Sequence, residues 1–313
     1  MGHWKWLYME NFKIEYLNQN FIDSDIVKKT SLIKTDTYSM GAITTRGTNP
    51  KRPFNQDYSA IMTYPGNDNI AILIMADGKD DSENGKIASK ELVYTLSNLF
   101  LNKSTSETFI NIPVLLEGKL LGELRQLNRR LYEDEVVGDV SFALAVIGKE
   151  ETLIANVGNV RCYSINDDNI TLQTTDNLTW YLYNSPELIT PDEVKYLIGK
   201  DYVSKSIGKE NNLQKQFEPF IKIIDNQTYN SLLLTTHGVN DVLDSAELFN
   251  ILSQNNTEDA LQTIIYDSIF SESKPSPKEL LSRFKDRENM IIEKTIPGDS
   301  NASAIVYKKT KNS

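Results

Sequence analysis

The run Ile72-Leu73-Ile74-Met75-Ala76-Asp77-Gly78 decides how the rest of the chain is read. Its apolar part has no polar face, so residues 70–76 read as a strand covered on both sides. A strand of that kind needs a layer of structure above and below it. Asp77 and Gly78 end the run, placing a carboxylate at a rigid strand end and a backbone carbonyl where a ligand can approach it. Taken alone, an Asp-Gly step after a strand is an ordinary turn.

Residues 40–47 and 57–64 read as strands upstream of this run. Downstream, Ile87, Leu92, Val93, Leu96, Leu99 and Phe100 fall near helical spacing and predict a helix over 84–102. Leu115, Leu116, Leu120, Leu121, Leu124, Leu127 and Leu131 predict the buried stripe of a second helix over 112–133. Strands follow at 140–148, 151–157 and 160–165, with hairpin turns expected at Gly148-Lys149-Glu150 and at Gly158-Asn159. After Asp176 the chain turns polar, and 187–199 reads as a short helix capped by Thr190 with Pro191 at its first position. A strand at 231–236, helices to about 284 broken by a Pro-rich loop at 271–279, and a last strand at 302–308 complete the pattern. Strand clusters separated by long helix pairs predict a layered α+β protein, two packed sheets with helices outside. No Pro/Gly/Ser-rich linker divides it, so one domain over 39–309 is expected, with an N-terminal extension at 1–38 and a surface flap around 176–212.

Composition narrows the function classes. The chain has 313 residues, 40% of them apolar and 24% charged, enough for a sizeable core. A net charge of −10 argues against nucleic-acid and anionic-membrane surfaces, which reward clustered Lys and Arg. One cysteine, Cys162, allows no internal disulfide and sits in an apolar strand as a packing residue. The first residues have neither a signal-peptide pattern nor a myristoylation motif, and no window of ~18 apolar residues spans a membrane. A cytoplasmic location is expected. Trp4, Trp6, Leu7 and Tyr8 offer a docking surface or cover the domain's own sheet.

Further segments end in polar residues where apolar strands stop: RPFNQD (52–57), VGDVSFALAVIG (137–148), LIANVGNVRCYSI (153–165), LLLTTHG (232–238) and GDSNASAIVY (298–307). In this order they resemble the metal-dependent protein phosphatase 2C (PPM) family from about residue 40 to 308. The family's Arg-x-x-Asn-Glu-Asp looks like Arg52 to Asp57, with Gln56 for Glu. Its Ala-Asp-Gly-Met-Gly-Gly followed by Ala-Ser is similar to Ala76 to Asp81, then Ala88-Ser89, with the two later glycines lost. Its Gly-Asp-Ser-Arg resembles Gly158 to Arg161, and its flap helix with a downstream glycine resembles 189–194 leading to Gly208. Where the family has Ser-Asp-Gly this chain has Thr236-His237-Gly238, and where it has Asp-Asn this chain has Ser300-Asn301.

The resemblance implies a four-layer α-β-β-α sandwich of mainly antiparallel sheets. It also implies a site in which two Mn or Mg ions share an aspartate and activate water for attack on a phosphoryl group. Asp77 and the Gly78 carbonyl would be metal ligands, Asp57 would orient metal-bound water, and Arg52 would bind phosphate. His237 and Ser300 stand where the family has carboxylates, and Asp299, one residue early, is a candidate replacement. Glu135 or Asp139 matches a further metal position, whereas Asp80, Asp81 and Glu83 read as a solvated loop. His237 reads either as a ligand for a softer ion such as Mn, or as a histidine that fills the vacated position and hydrogen-bonds Asp77. Losing two anionic ligands should weaken metal binding steeply. Two functions follow: a pseudophosphatase or very weak phosphatase that binds a phosphorylated protein or regulatory partner, and an active serine/threonine phosphatase with an altered, Mn-preferring binuclear site.

Overall fold

The computed structural model describes residues 13–17, 29–64, 67–79, 83–101, 113–133, 138–179, 186–200, 202–208, 218–284, 291–292 and 294–310. They form two six-stranded sheets. The first runs, in spatial order, β1 (Lys13–Leu17), β4 (Asp57–Tyr64), β5 (Asn67–Lys79), β6 (Asp139–Ile147), β7 (Glu151–Val157) and β10 (Phe220–Asp225). The second runs β2 (Lys29–Lys34), β3 (Tyr38–Thr45), β12 (Ala302–Lys309), β11 (Ser231–Thr235), β8 (Arg161–Ile165) and β9 (Ile170–Leu172). Every pairing is antiparallel.

The unbroken apolar run of β5 serves two cores because successive side chains point to opposite faces. Ile72, Ile74 and Ala76 pack under α1 (Glu83–Leu101) and α2 (Pro113–Glu133), against Leu92, Leu96, Leu120 and Leu124. Ala71, Leu73 and Met75 point the other way and meet Met40, Cys162, Leu234 and Ile305 between the sheets. On the far side of the second sheet, Ile43, Leu233 and Val306 pack under α4 (Ser245–Gln254) and α5 (Thr257–Phe270), behind the one-turn α3 (His237–Asn240). The result is the α-β-β-α sandwich. Each fully buried Leu or Ile in these cores contributes roughly 1.5–3 kcal/mol relative to exposure.

A fourth, smaller core lies apart from the sandwich. Leu178, Ile189, Val194, Tyr196 and Leu197 pack with Leu280, Phe284 and Ile291, next to α6 (Lys278–Arg283). Leu197 bridges to Ile291, and Arg283 Nη1 donates to the Leu188 carbonyl at 2.8 Å. The chain between β9 and β10 is thereby fastened to the α6 region.

The structure departs from the sequence expectations at several places. Gly158-Asn159 is not a hairpin, because β7 and β8 lie in different sheets. Gly158 has φ +90°, and a Cβ there would lie 2.0 Å from Ser141 Oγ, so the step works as a tight crossover between layers. The 187–199 helix is replaced by two 3-10 turns, Pro186–Leu188 and Pro191–Tyr196, each opened by a proline. Ile87 and Leu115 are exposed at 38% and 46% and do not join the buried stripes. Edge strands β1 and β2 arise inside the stretch read as an extension, while Trp4, Trp6, Leu7 and Tyr8 lie outside the described residues. Among the described residues no helix is long and apolar enough to cross a membrane.

Candidate active site

The antiparallel register of β4 and β5 sets Asp57 directly opposite Asp77 at one end of the first sheet. Both carboxylates are almost fully buried. From the second sheet, β11 delivers Thr236 and then His237, the first residue of α3. His237 Nδ1 meets Asp77 Oδ2. Lys79, two residues along the same strand face, donates to that same oxygen at 3.0 Å. Burial alone would raise the Asp77 carboxyl, but His237 and Lys79 beside it hold it below the usual carboxylate range.

Asp57 is held differently. Its Oδ2 accepts the Thr236 hydroxyl at 2.9 Å and the Ser303 hydroxyl at 2.6 Å, and its amide donates to Asn55 Oδ1 at 3.0 Å. Asn55 Nδ2 donates to Thr44 Oγ1 at 2.7 Å, and Thr44 lies 2.7 Å from Ser303 Oγ. With the Ser303 proton given to Asp57, Thr44 is the donor to Ser303, and the chain runs Asn55, Thr44, Ser303, Asp57. Burial, then the neighbouring Asp77 charge, pushes the Asp57 carboxyl up to about 7, against the opposing hydroxyl donors.

The glycine after Asp77 has a packing reason. A Cβ at Gly78 would lie 2.0 Å from the Gly85 carbonyl oxygen in the first turn of α1. Gly78 N–H also donates to the Gln56 carbonyl at 3.2 Å. That carbonyl accepts Ser89 Oγ at 2.6 Å, and the Gln56 amide donates to Asn301 Oδ1 at 3.0 Å. Asn301 Nδ2 reaches the carbonyls of Arg46 and Phe54 at 2.9 and 3.2 Å, stapling the 46–56 loop to the start of β12.

The structure brings Asp57, Asp77 and His237 together and leaves other candidates elsewhere. Arg52 is half-buried on the 46–56 loop, its carbonyl accepting Arg46 Nη1 at 3.3 Å. Asp299 accepts Asn49 Nδ2 at 2.8 Å and lines a cleft that also includes Ser300. Asp139 accepts the Ser206 hydroxyl. Glu135, Asp80 and Asp81 lie outside the described residues, and Glu83 is exposed. Among the described residues, no three His, Cys, Asp or Glu side chains are grouped to hold one metal ion. Lys79, Thr236 and Ser303 were not foreseen as partners. Lys79 carried a legible signal, since position i+2 on a strand shares a face with Asp77; the other two meet Asp57 only through the packing of the two sheets.

Nearby, the buried Arg161 makes a fully satisfied pair with Asp176. Its Nε reaches both carboxylate oxygens at 3.2 and 3.1 Å, and Nη2 reaches Oδ2 at 2.6 Å. Nη1 donates to the Tyr163 hydroxyl at 3.2 Å and Nη2 to the Pro191 carbonyl at 2.9 Å. The guanidinium thus ties β8 to the chain leading out of β9.

No protein-family model matches the chain. The chain is 24% identical over 208 residues to the serine/threonine phosphatase stp of Listeria welshimeri, covering 64% of this chain and 78% of that one. It is 25% identical over 206 residues to the protein phosphatase PhpP of Streptococcus pneumoniae, covering 65% and 80%. The fold superimposes on the crystal structure of serine/threonine phosphatase Stp1 from Staphylococcus aureus with TM-score 0.63 at 19% identity, covering 92% of this chain and 96% of that one. On the Mycobacterium tuberculosis serine/threonine phosphatase PstP the TM-score is 0.61 at 16% identity, with 87% and 98% covered. With the aspartates paired at the strand ends and the two-sheet sandwich, the chain is similar to these bacterial serine/threonine phosphatases, in keeping with its resemblance to the protein phosphatase 2C family.

Proposed function

We propose that this protein is a pseudophosphatase or very weak phosphatase, a phosphatase fold that acts by binding a phosphorylated protein or regulatory partner. The observation that carries the reading is the single Asp77 oxygen shared by Lys79 and His237. A pair of hard divalent ions is held by several anionic oxygens. Here Asp57 and Asp77 are two carboxylates against the one ammonium of Lys79, and Asp57 is engaged by two hydroxyls. The residues present do not fit two dications. His237 and Ser300, where the family has carboxylates, take away two further charges. In this reading Arg52 contacts the partner's phosphate, Asp57 keeps a buried carboxyl, and Asp77, Gly78, His237 and Asp299 are remnants of a ligand set. The protein works in the cytoplasm.

The test is calorimetric titration of metal-stripped protein with Mn and Mg, alongside hydrolysis of an aryl phosphate. Absent or millimolar binding without turnover is expected. Tight Mn binding with metal-dependent turnover would instead make it an active serine/threonine phosphatase with an altered binuclear site. Carboxylates restored together through His237→Asp and Ser300→Asp should raise Mn affinity if the remaining donors are intact.

A further inference from the structure

A cleft of about 220 Å³ opens between the turn at 197–200 and the loop 296–300, beside the short helix α3. That volume lies below the range of about 300–1,000 Å³ usual for cofactor and small-molecule pockets, and suits one large side chain. Its walls are of two kinds. Ile198 and Ile296 are 54% and 60% exposed, and the 73% exposed Tyr202 ring lies close to Gly199 at the rim. Large apolar side chains exposed side by side mark a contact surface more often than scattered ones do. The polar wall holds Lys200, Asp241 and Asp299.

The charges on that wall do not cancel. Lys200 Nζ is paired with Asp241 Oδ2 at 2.7 Å. Asp299 has only the neutral Asn49 amide on Oδ1, and its other oxygen has no partner among the described residues. The cleft therefore offers apolar sides and one uncompensated carboxylate. Arginine and lysine match that combination, because their aliphatic stems lie along apolar surface while the charged head reaches an acceptor. A second copy of this chain is disfavoured as occupant, since each copy has a net charge of −10.

We propose that this cleft is a docking site for a basic segment of a partner protein. An arginine stem lies between Ile198 and Ile296, and the guanidinium bonds to Asp299. The inference goes beyond the pseudophosphatase reading and stands whether or not the protein hydrolyses phosphate.

The experiment is fluorescence anisotropy in excess EDTA, so that no metal chemistry contributes. The probes are a labelled Gly-Ser peptide carrying one Ile-Arg pair, the same peptide with norleucine for arginine, and one with glutamate for arginine. The arginine peptide should bind about tenfold more tightly than the norleucine peptide, as expected for a charge-assisted contact, and should weaken with added salt. Asp299→Asn should remove that preference, and Ile296→Ser should weaken the arginine peptide about tenfold. Ile198→Ser, at an exposed position, repeats the test should either variant fold poorly. Equal binding of arginine and norleucine peptides, stronger binding of the glutamate peptide, no binding, or a dimer in sedimentation that Ile296→Ser dissolves would each overturn the proposal. Metal titration plays no part here, so this idea and the pseudophosphatase reading fail separately.

Discussion

Two buried ionic clusters sit near the same end of the sandwich and are built on opposite principles. Around Arg161 one cation meets one carboxylate, a phenol and a carbonyl, so charge and donors balance. Around Asp77 two carboxylates face each other across a strand pair, and their repulsion is relieved by Lys79 and His237 on one and by hydroxyls on the other. The first arrangement holds the fold; the second is a tension that the fold has to contain. Desolvated charges are tolerated in both, but only the first loses stability when simplified.

That contrast is open to direct attack. Arg161→Ala leaves Asp176 buried without its cation and should cost about 3–5 kcal/mol by urea denaturation. A loss below about 1 kcal/mol would mean that this pair does not hold the fold. Gly78→Ala should cost roughly 2–3 kcal/mol, because the new methyl meets the Gly85 carbonyl. If it is neutral, α1 is not seated on the strand end as described. His237→Asp puts a third carboxylate beside Asp77 and should lower stability by roughly 2 kcal/mol without metal. Thermal melts with millimolar Mn should recover part of that loss, by linkage.

The effect at Asp57 depends on pH for both its size and its sign. The folded carboxyl titrates near 7 against an ordinary 3.8, so between those values the folded protein keeps a proton that the unfolded chain loses. The favourable contribution is complete below about pH 4 and is lost as pH rises through about 7. Asp57→Asn should therefore be near neutral in acid and gain relative to the parent at pH 8. A difference between parent and variant that stays flat from pH 4 to 8 would mean that Asp57 is already ionised in the folded state.

What could be read from the sequence follows the strength of its local patterns. The run at 70–76 announced a strand covered on both faces, and the leucine repeat at 112–133 announced α2, because burial imposes periodicity. Edge strands gave no such signal. Lys13–Leu17 and Phe220–Asp225 are short and mix polar with apolar residues. The step at Gly158-Asn159 looked like a hairpin because a glycine at a tight turn serves a crossover equally well. For the site, Asp57 and Asp77 were legible as strand-end carboxylates, while their meeting with His237 came from resemblance. The Thr44 and Ser303 hydroxyls lie on two strands of the other sheet and the Thr236 hydroxyl just past a third, and no local pattern joins them around Asp57.

The fourth core bears on how the molecule breathes. Leu178, Val194, Tyr196 and Leu197 share their apolar contacts with Leu280, Phe284 and Ile291, and none of them belongs to the three cores of the sandwich. Such a satellite is a natural cooperative unit, able to open while the sheets stay closed. Amide protons in both stretches should exchange with solvent together and ahead of β5. Because the basic-segment cleft begins at Leu197, a partner seated there would slow that exchange at a distance, through Ile291 and α6.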